Sequence, residues 1–311
     1  MRSPITINSR LIGIFLSVVL FFYTADVQAQ QDPIYGLYIN NPLVINPAYT
    51  GINNNLTAFT TYRNQWAGFD GAPSTLNVGG HLSLRQNKIG AGLLIVSDKI
   101  GENTNTQVNG TFAYKLPVSK GTTLSFGMQA GFINYKMDPS RLTLQDPTDP
   151  LFAPINQIKP SLGAGLMLKG DKFLFGISVP RLISGTFDMG GQKISVYQQT
   201  FYFLGSYLFF LSERVVLKPS LLLKAASGSP LSTDVNVNFI IDRNYSAGFY
   251  TRSFNTYGIT AQVNFLEKYR LTYALEIPTG QSVGAQFITN EIMLSIRTAA
   301  FTYHDRAASN F

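Results

Sequence analysis

The side chains best suited to acid–base chemistry in this chain are its two histidines, His81 and His304. Ser83 follows His81 by two positions in an alternating stretch, so both side chains are expected on one face of a strand. A histidine beside a serine could begin a hydrolase triad, which also needs an exposed serine and a third group that orients the imidazole. No residue pattern supplies that group. We therefore expect His81 to make ordinary hydrogen bonds, and we predict no catalytic residue.

Metal and cofactor motifs are equally sparse. Asp146 and Asp149 in "DPTDP" could contact calcium, but a dedicated site uses about six to eight oxygen ligands. The chain has no cysteine, which excludes disulfides, cysteine-ligated zinc and thiol catalysis. It contains no HExxH or P-loop sequence. We predict a protein without a cofactor or a metal, and not an enzyme.

The start of the chain has the three parts of a secretory signal peptide. Arg2 and Arg10 are basic, Leu11–Tyr23 is an apolar run, and Val27–Ala29 provides a small-x-small cleavage signal. The apolar run of 13 residues is shorter than the ~20 that a membrane helix needs. Residues 1–29 are therefore predicted to be a signal peptide.

Residues 56–303 alternate between apolar and polar side chains with the period of two that strands show. Leu124–Phe132 and Asp234–Ile241 are clear examples. The polar face carries mainly Gly, Ser, Thr, Asn and Gln, and charged residues make up only 13% of the chain, against about 25% in soluble domains. With many aromatic residues and no further long apolar run, this composition predicts an all-β protein, an antiparallel transmembrane β-barrel of the outer membrane.

The alternating segments predict about fourteen strands, an even number as bacterial barrels require. They lie near 56–66, 73–85, 88–98, 104–117, 122–136, 159–169, 172–180, 198–210, 215–225, 231–241, 245–253, 256–266, 268–277 and 290–303. Tight turns are predicted at 211–214, 241–244 and 266–269, and long connections at 138–157, 182–198 and 278–290. Long connections in such barrels face outside the cell. The segments near 88–98 and 198–210 are apolar on both faces.

Residues 30–55 are predicted to form an extended arm before the barrel. The arm contains two Asn-Pro pairs, Asn41-Pro42 and Asn46-Pro47. Each proline removes a backbone donor and disfavours helical geometry in the residue before it. A stiff arm of this kind could plug the lumen or line its mouth, cap one barrel end, or contact a partner directly. Residues 304–311 are predicted to be a C-terminal tail.

Charged side chains on the polar faces are predicted to point into the lumen. They are Lys115, Lys218, Lys224, Asp234, Arg252, Arg270, Glu276, Glu291 and Arg297. These charges could fill the lumen with salt bridges, set an anion preference, or bind a strand of a cargo protein. Trp66, the only tryptophan, lies between the first two strands. It could anchor the membrane interface or form a docking patch with Phe69.

Several segments resemble the PorP/SprF family of outer-membrane proteins of the type IX secretion system. "QDPIYGLYINNPLVINPAYTG" (31–51) is similar to the opening of mature members, and "TYRNQWAGFDGAPSTLNVGGH" (61–81) to a second family signature. The resemblance continues in order through 88–101, 124–132, 179–183, 217–239 and 290–296. Two departures are Thr289-Asn290, where the family often has Ser-His before the glutamate, and the tail. Phe311 matches the terminal aromatic residue common in bacterial barrels.

The resemblance implies an accessory protein that binds a secreted surface adhesin through the adhesin's C-terminal domain and helps to export or anchor it. The implied partners are this adhesin, subunits of the type IX machinery and outer-membrane lipid. Nucleic acid is not expected despite a net charge of +7, because the basic residues are scattered. Partner contacts are predicted in the loops, at Trp66, Phe69, Asp146 and Phe152. A general outer-membrane porin is the alternative.

Overall fold

The computed structural model describes residues 35–141, 153–183, 185–189, 192–279, 287–305 and 311. The described strands are β1 (Leu56–Asn64), β2 (Ser74–Leu84), β3 (Ile89–Ile100), β4 (Asn103–Ser119), β5 (Thr122–Met137), β6 (Ile155–Lys169), β7 (Phe173–Val179), β8 (Gly185–Met189), β9 (Gln192–Tyr197), β10 (Thr200–Tyr207), β11 (Phe209–Phe210), β12 (Val215–Ala226), β13 (Ser232–Ile241), β14 (Tyr245–Arg252), β15 (Thr256–Phe265), β16 (Tyr269–Pro278) and β17 (Thr289–Thr298). Short 3-10 helices cover Pro42–Val44, Pro47–Tyr49 and Pro139–Arg141. Within these ranges, no helix has the length and apolar character to cross a membrane.

The strands form a closed antiparallel barrel. Each barrel strand pairs with its neighbour in the chain, β7 and β12 both pair with β10, and β1 pairs with β17 from Leu56↔Thr298 to Asn64↔Asn290. The hairpin β8–β9 forms a separate two-stranded sheet that is not part of the ring. The strands β10 and β11 together form one barrel strand, which is interrupted at Leu208. The predicted fold class, an antiparallel barrel of fourteen strands, is therefore confirmed.

The alternating pattern separates an outer face from an inner face. On β5, Phe126, Met128 and Phe132 are exposed, Met128 by 66%, whereas Ser125 and Gln129 are buried in the lumen. Apolar side chains facing outward and polar ones facing inward are the arrangement that lipid on one side demands.

The two barrel ends differ in their connections. One end, the short-turn end, carries the tight turns, including 211–214, 242–244 and 266–268. The other, the long-loop end, carries the connections 65–73, 138–154, 180–199 and 279–288. Short turns face the periplasm in bacterial barrels, so the long-loop end is the external one.

Two boundaries differ from the prediction. The last strand ends at Thr298, not at 303, because the chain turns back after it and the Asp305 amide donates to Asn54 O at 3.0 Å. The predicted connection 182–198 contains the hairpin β8–β9. Phe187 of this hairpin is fully buried, and its ring lies 5.0 Å from the Tyr135 ring, so the hairpin folds against the inner face of β5 at the long-loop end.

Candidate functional site

The arm, residues 35–55, lies inside the barrel. Nearly all of its side chains are buried, and Leu43, Ala48 and Thr50 have almost no exposed surface. The described part is not extended, because each Asn-Pro pair begins a short 3-10 helix with proline in its first turn. Asn46 also caps its helix, since its Oδ1 accepts from the Ala48 amide at 2.9 Å. The two Asn-Pro pairs therefore begin two tight turns, and the stiffness of the arm stays a prediction.

The apolar core of this barrel is inside the ring. Arm residues such as Leu43 and Tyr49 belong to one buried cluster with inward-facing wall residues, among them Leu94 and Val96 of β3 and Leu204 of β10. This packing explains why β3 and β10 are apolar on both faces: one face meets lipid and the other meets the arm. Removing this apolar surface from water stabilises the arm in place by about 25 cal/mol per Å².

A buried charge cluster holds the arm at the long-loop end. Arg63 donates to Glu276 at 2.5 Å and to Glu291 at 3.0 Å, while Arg252 pairs with Glu276 at 3.4 Å and with Asp234 at 3.0 Å. All five side chains are largely buried. Four of them are predicted inward charges, and the salt-bridge interpretation describes them correctly.

Glu291 connects this cluster to the arm. Its carboxylate accepts from the Gly36 amide at 2.7 Å and from the Leu37 amide at 3.2 Å, and it also accepts from Arg63. Such hydrogen bonds to a charged acceptor are about twice as strong as neutral ones. Arg63 is missing from the predicted charges because it stands at the end of β1. Its alternation with Thr57, Phe59 and Thr61, which are also buried, is the signal that places it inside.

A second polar cluster holds the arm at the short-turn end. Lys115 Nζ donates to Gly51 O, to Ser83 Oγ at 2.6 Å and to Asn54 Oδ1 at 3.0 Å. The Gly51 amide donates to His81 Nδ1 at 3.0 Å. His81 and Ser83 thus each serve the arm and are not hydrogen-bonded to each other among the described contacts. The ordinary hydrogen bonding predicted for His81 is what the structure contains.

The end of the chain also enters the short-turn end of the lumen. Phe311 is buried, its carbonyl oxygen accepts from Asn53 Nδ2 at 2.8 Å, and Lys218 Nζ lies 5.0 Å from the centre of its ring. Phe311 is therefore not the terminal aromatic residue of the last strand, which ends at Thr298. It packs against the arm in the lumenal apolar cluster.

An aromatic patch, made of Trp66, Phe69 and Phe287, lies at the long-loop end. The rings of Trp66 and Phe69 are 6.4 Å apart, and those of Phe69 and Phe287 are 5.6 Å apart. The Trp66 amide donates to Thr289 Oγ1 at 3.2 Å, which joins the 65–73 connection to the first residue of β17. The predicted pair Trp66 and Phe69 is thus in contact. Asp146 and Phe152 lie outside the described residues.

The sequence profile described as "Type IX secretion system membrane protein PorP/SprF" matches residues 27–296. The chain belongs to the PorP/SprF family. It is an outer-membrane protein of the type IX secretion system, as the resemblance implies, and both family and fold point to a non-enzymatic role. Comparison with curated proteins gives no match.

Solved structures similar to this PorP/SprF protein are outer-membrane barrels. Omp33 of Acinetobacter baumannii is 10% identical, with a TM-score of 0.43 over 80% of this chain and 100% of that one. The Ralstonia pickettii toluene transporter TbuX is 9% identical, with a TM-score of 0.45 over 82% and 92%. The CymD monoaromatic hydrocarbon channel is 9% identical, with a TM-score of 0.48 over 89% and 96%.

Glycines in the wall of this PorP/SprF protein let the arm lie against it. A Cβ on Gly127 of β5 would collide with the backbone of Ala48, and one on Gly90 of β3 with the carbonyl of Thr50. We expect Gly127→Val to push the arm away from the wall. When samples are heated to increasing temperatures and then separated by gel electrophoresis, the band of the folded protein should disappear at a lower temperature than for the unmodified protein.

The matched control is Gly110→Val, on the lipid-facing side of the neighbouring strand. A Cβ there has its nearest neighbour, Ala130 O, at 3.7 Å. Because this position has space, we expect the folded band to persist to nearly the temperature of the unmodified protein. Equal effects of the two substitutions would show that arm contact is not what Gly127 provides.

Proposed function

We propose that this protein is an accessory outer-membrane component of type IX secretion that binds a surface adhesin through the adhesin's C-terminal domain, for export or anchoring. It would also contact subunits of the secretion machinery. The observation that carries the proposal is the filled lumen. An arm held at both barrel ends leaves little open path for a solute. We therefore favour the binding of a partner at the external face over the transport of solutes.

The aromatic patch supports this external binding role. Phe69 is 39% exposed and lies at the long-loop end beside the half-buried Trp66. Aromatic side chains are enriched among the residues that dominate protein–protein binding energy. The Phe69 ring contacts both Trp66 and Phe287, which holds it in place before a partner arrives, so less conformational entropy is lost on binding. Asp146 and Phe152 remain predicted contacts of the same face.

The proposed site is tested by affinity capture from native outer membrane. Removing a binding hot spot costs about 2 kcal/mol or more, and every 1.4 kcal/mol is about tenfold in affinity. We therefore expect the double variant Trp66→Ala/Phe69→Ala to recover at least about tenfold less of the adhesin. Quantitative mass spectrometry of the captured proteins measures the loss.

Phe254→Ala is the matched control for this capture. Phe254 is another exposed aromatic residue, in the 253–255 turn at the same barrel end but outside the patch. It should capture as much adhesin as the unmodified protein does. If both variants capture normally, the patch is not the docking site. If no surface protein is captured by the unmodified barrel, the adhesin-binding proposal itself fails.

A further inference from the structure

The contacts of the arm show in which direction it runs through the barrel. Its first described residues are at the long-loop end, where Gly36 and Leu37 donate to Glu291. Glu291 is the third residue of β17, just after the connection 279–288. Its partner Arg63 is the second-to-last residue of β1, so both lie at the long-loop end. Arg252 Nη2, at the end of β14, donates to Tyr35 O at 3.4 Å. Tyr35 therefore lies at the external mouth.

The contacts then descend towards the periplasm. Asn40 donates to Gln262, well along β15 from its long-loop start, at 2.7 Å. Further down, Asn46 Nδ2 donates to Leu166 O at 3.0 Å, and Ser125 Oγ, near the short-turn start of β5, donates to Ala48 O at 2.7 Å.

The lower end of the arm is at the short-turn end. Gly51 O accepts from Lys115, which lies four residues before the end of β4 at Ser119. The arm then joins β1 at Leu56, and β1 returns to the long-loop end. Residues 35–55 thus cross the lumen once, from the long-loop end to the short-turn end.

Because long loops are external in bacterial barrels, we infer that the polypeptide enters the barrel from the cell-surface side. Tyr35, the first described residue and only partly buried, is then accessible at the external mouth. This differs from an N-terminal plug that enters from the periplasm. The inference goes beyond the proposed function, because it concerns the barrel end at which the described arm begins.

The absence of cysteine from the sequence makes single-cysteine labelling a clean test. The test variant is Tyr35→Cys, at the first described residue, whose side chain is only partly buried. The external control is Asp70→Cys in the 65–73 loop, and the periplasmic control is Glu213→Cys in the 211–214 turn. Both control residues are exposed. Each variant is treated with a membrane-impermeant maleimide on intact cells and again after the outer membrane is permeabilised.

We expect Tyr35→Cys to be labelled on intact cells, as Asp70→Cys is, while Glu213→Cys reacts only after permeabilisation. Only the folded, heat-modifiable band is scored, so misfolded protein does not contribute. Labelling of Tyr35→Cys that requires permeabilisation would overturn the inference, as would no labelling under either condition. Neither result depends on an adhesin, so failure here is distinguishable from failure of the proposed function.

Discussion

Deletion of Tyr35–Ile52 is expected to turn a closed barrel into a conducting one. The deleted residues include eight of the twenty buried residues in the lumenal apolar cluster, and their contacts extend from one barrel end to the other. Barrels of about 16 to 18 strands enclose an aqueous channel, whereas 8-stranded barrels are filled by side chains. A fourteen-stranded ring without its arm should therefore admit ions. Single-channel recording in planar bilayers would show steps for the deletion variant and none for the unmodified protein.

The conductance result also decides between the proposed function and a general porin. A porin would conduct with its arm in place. A point variant, Glu291→Ala, gives an independent measurement because it keeps the arm but removes its contacts at Gly36 and Leu37, together with the ion pair to Arg63. It should cause brief, infrequent openings. A folded deletion variant that stays silent would refute the idea that the arm closes the lumen.

Replacement of Arg63 by alanine is expected to cause the largest loss of stability from a single substitution. Arg63 is 2% exposed and is shared by Glu276 and Glu291, so its removal leaves two buried carboxylates facing each other. Breaking a buried ion pair in this way costs about 3–5 kcal/mol. The measurement is the free energy of unfolding from urea titration of the protein in lipid vesicles.

The matched control is Arg214→Ala. Arg214 makes an equally direct pair with Asp242 at 2.6 Å, but this pair is at the exposed short-turn end. Solvent screens such pairs, so little stability should be lost. Arg63→Lys should keep part of the stability. It retains the positive charge but loses the planar guanidinium group that pairs with Glu276 and Glu291 at once. A small effect of Arg63→Ala, comparable to that of Arg214→Ala, would mean that the buried cluster does not hold the fold together.

The barrel wall was predictable because its pattern is local. Every second residue faces lipid, so β5 and β13 can be recognised from their own alternation without knowledge of their partners. Tight turns were predictable for the same reason. The end of β17 was not, because Thr298 is followed by apolar residues, and only the return of Asp305 to Asn54 stops the strand.

The sequence by itself determined the outer-membrane barrel, its fourteen alternating strands and the family, since each depends on neighbouring residues or on composition, while the signal peptide stays a prediction outside the described residues. Only the tertiary structure decided where the arm lies, which charges meet and that Phe311 returns to the lumen. Arg63 and Glu291 are separated by 228 positions in the chain, and closure of β1 onto β17 brings them together. A contact of this kind is set by the geometry of the closed ring, which no single stretch of residues encodes.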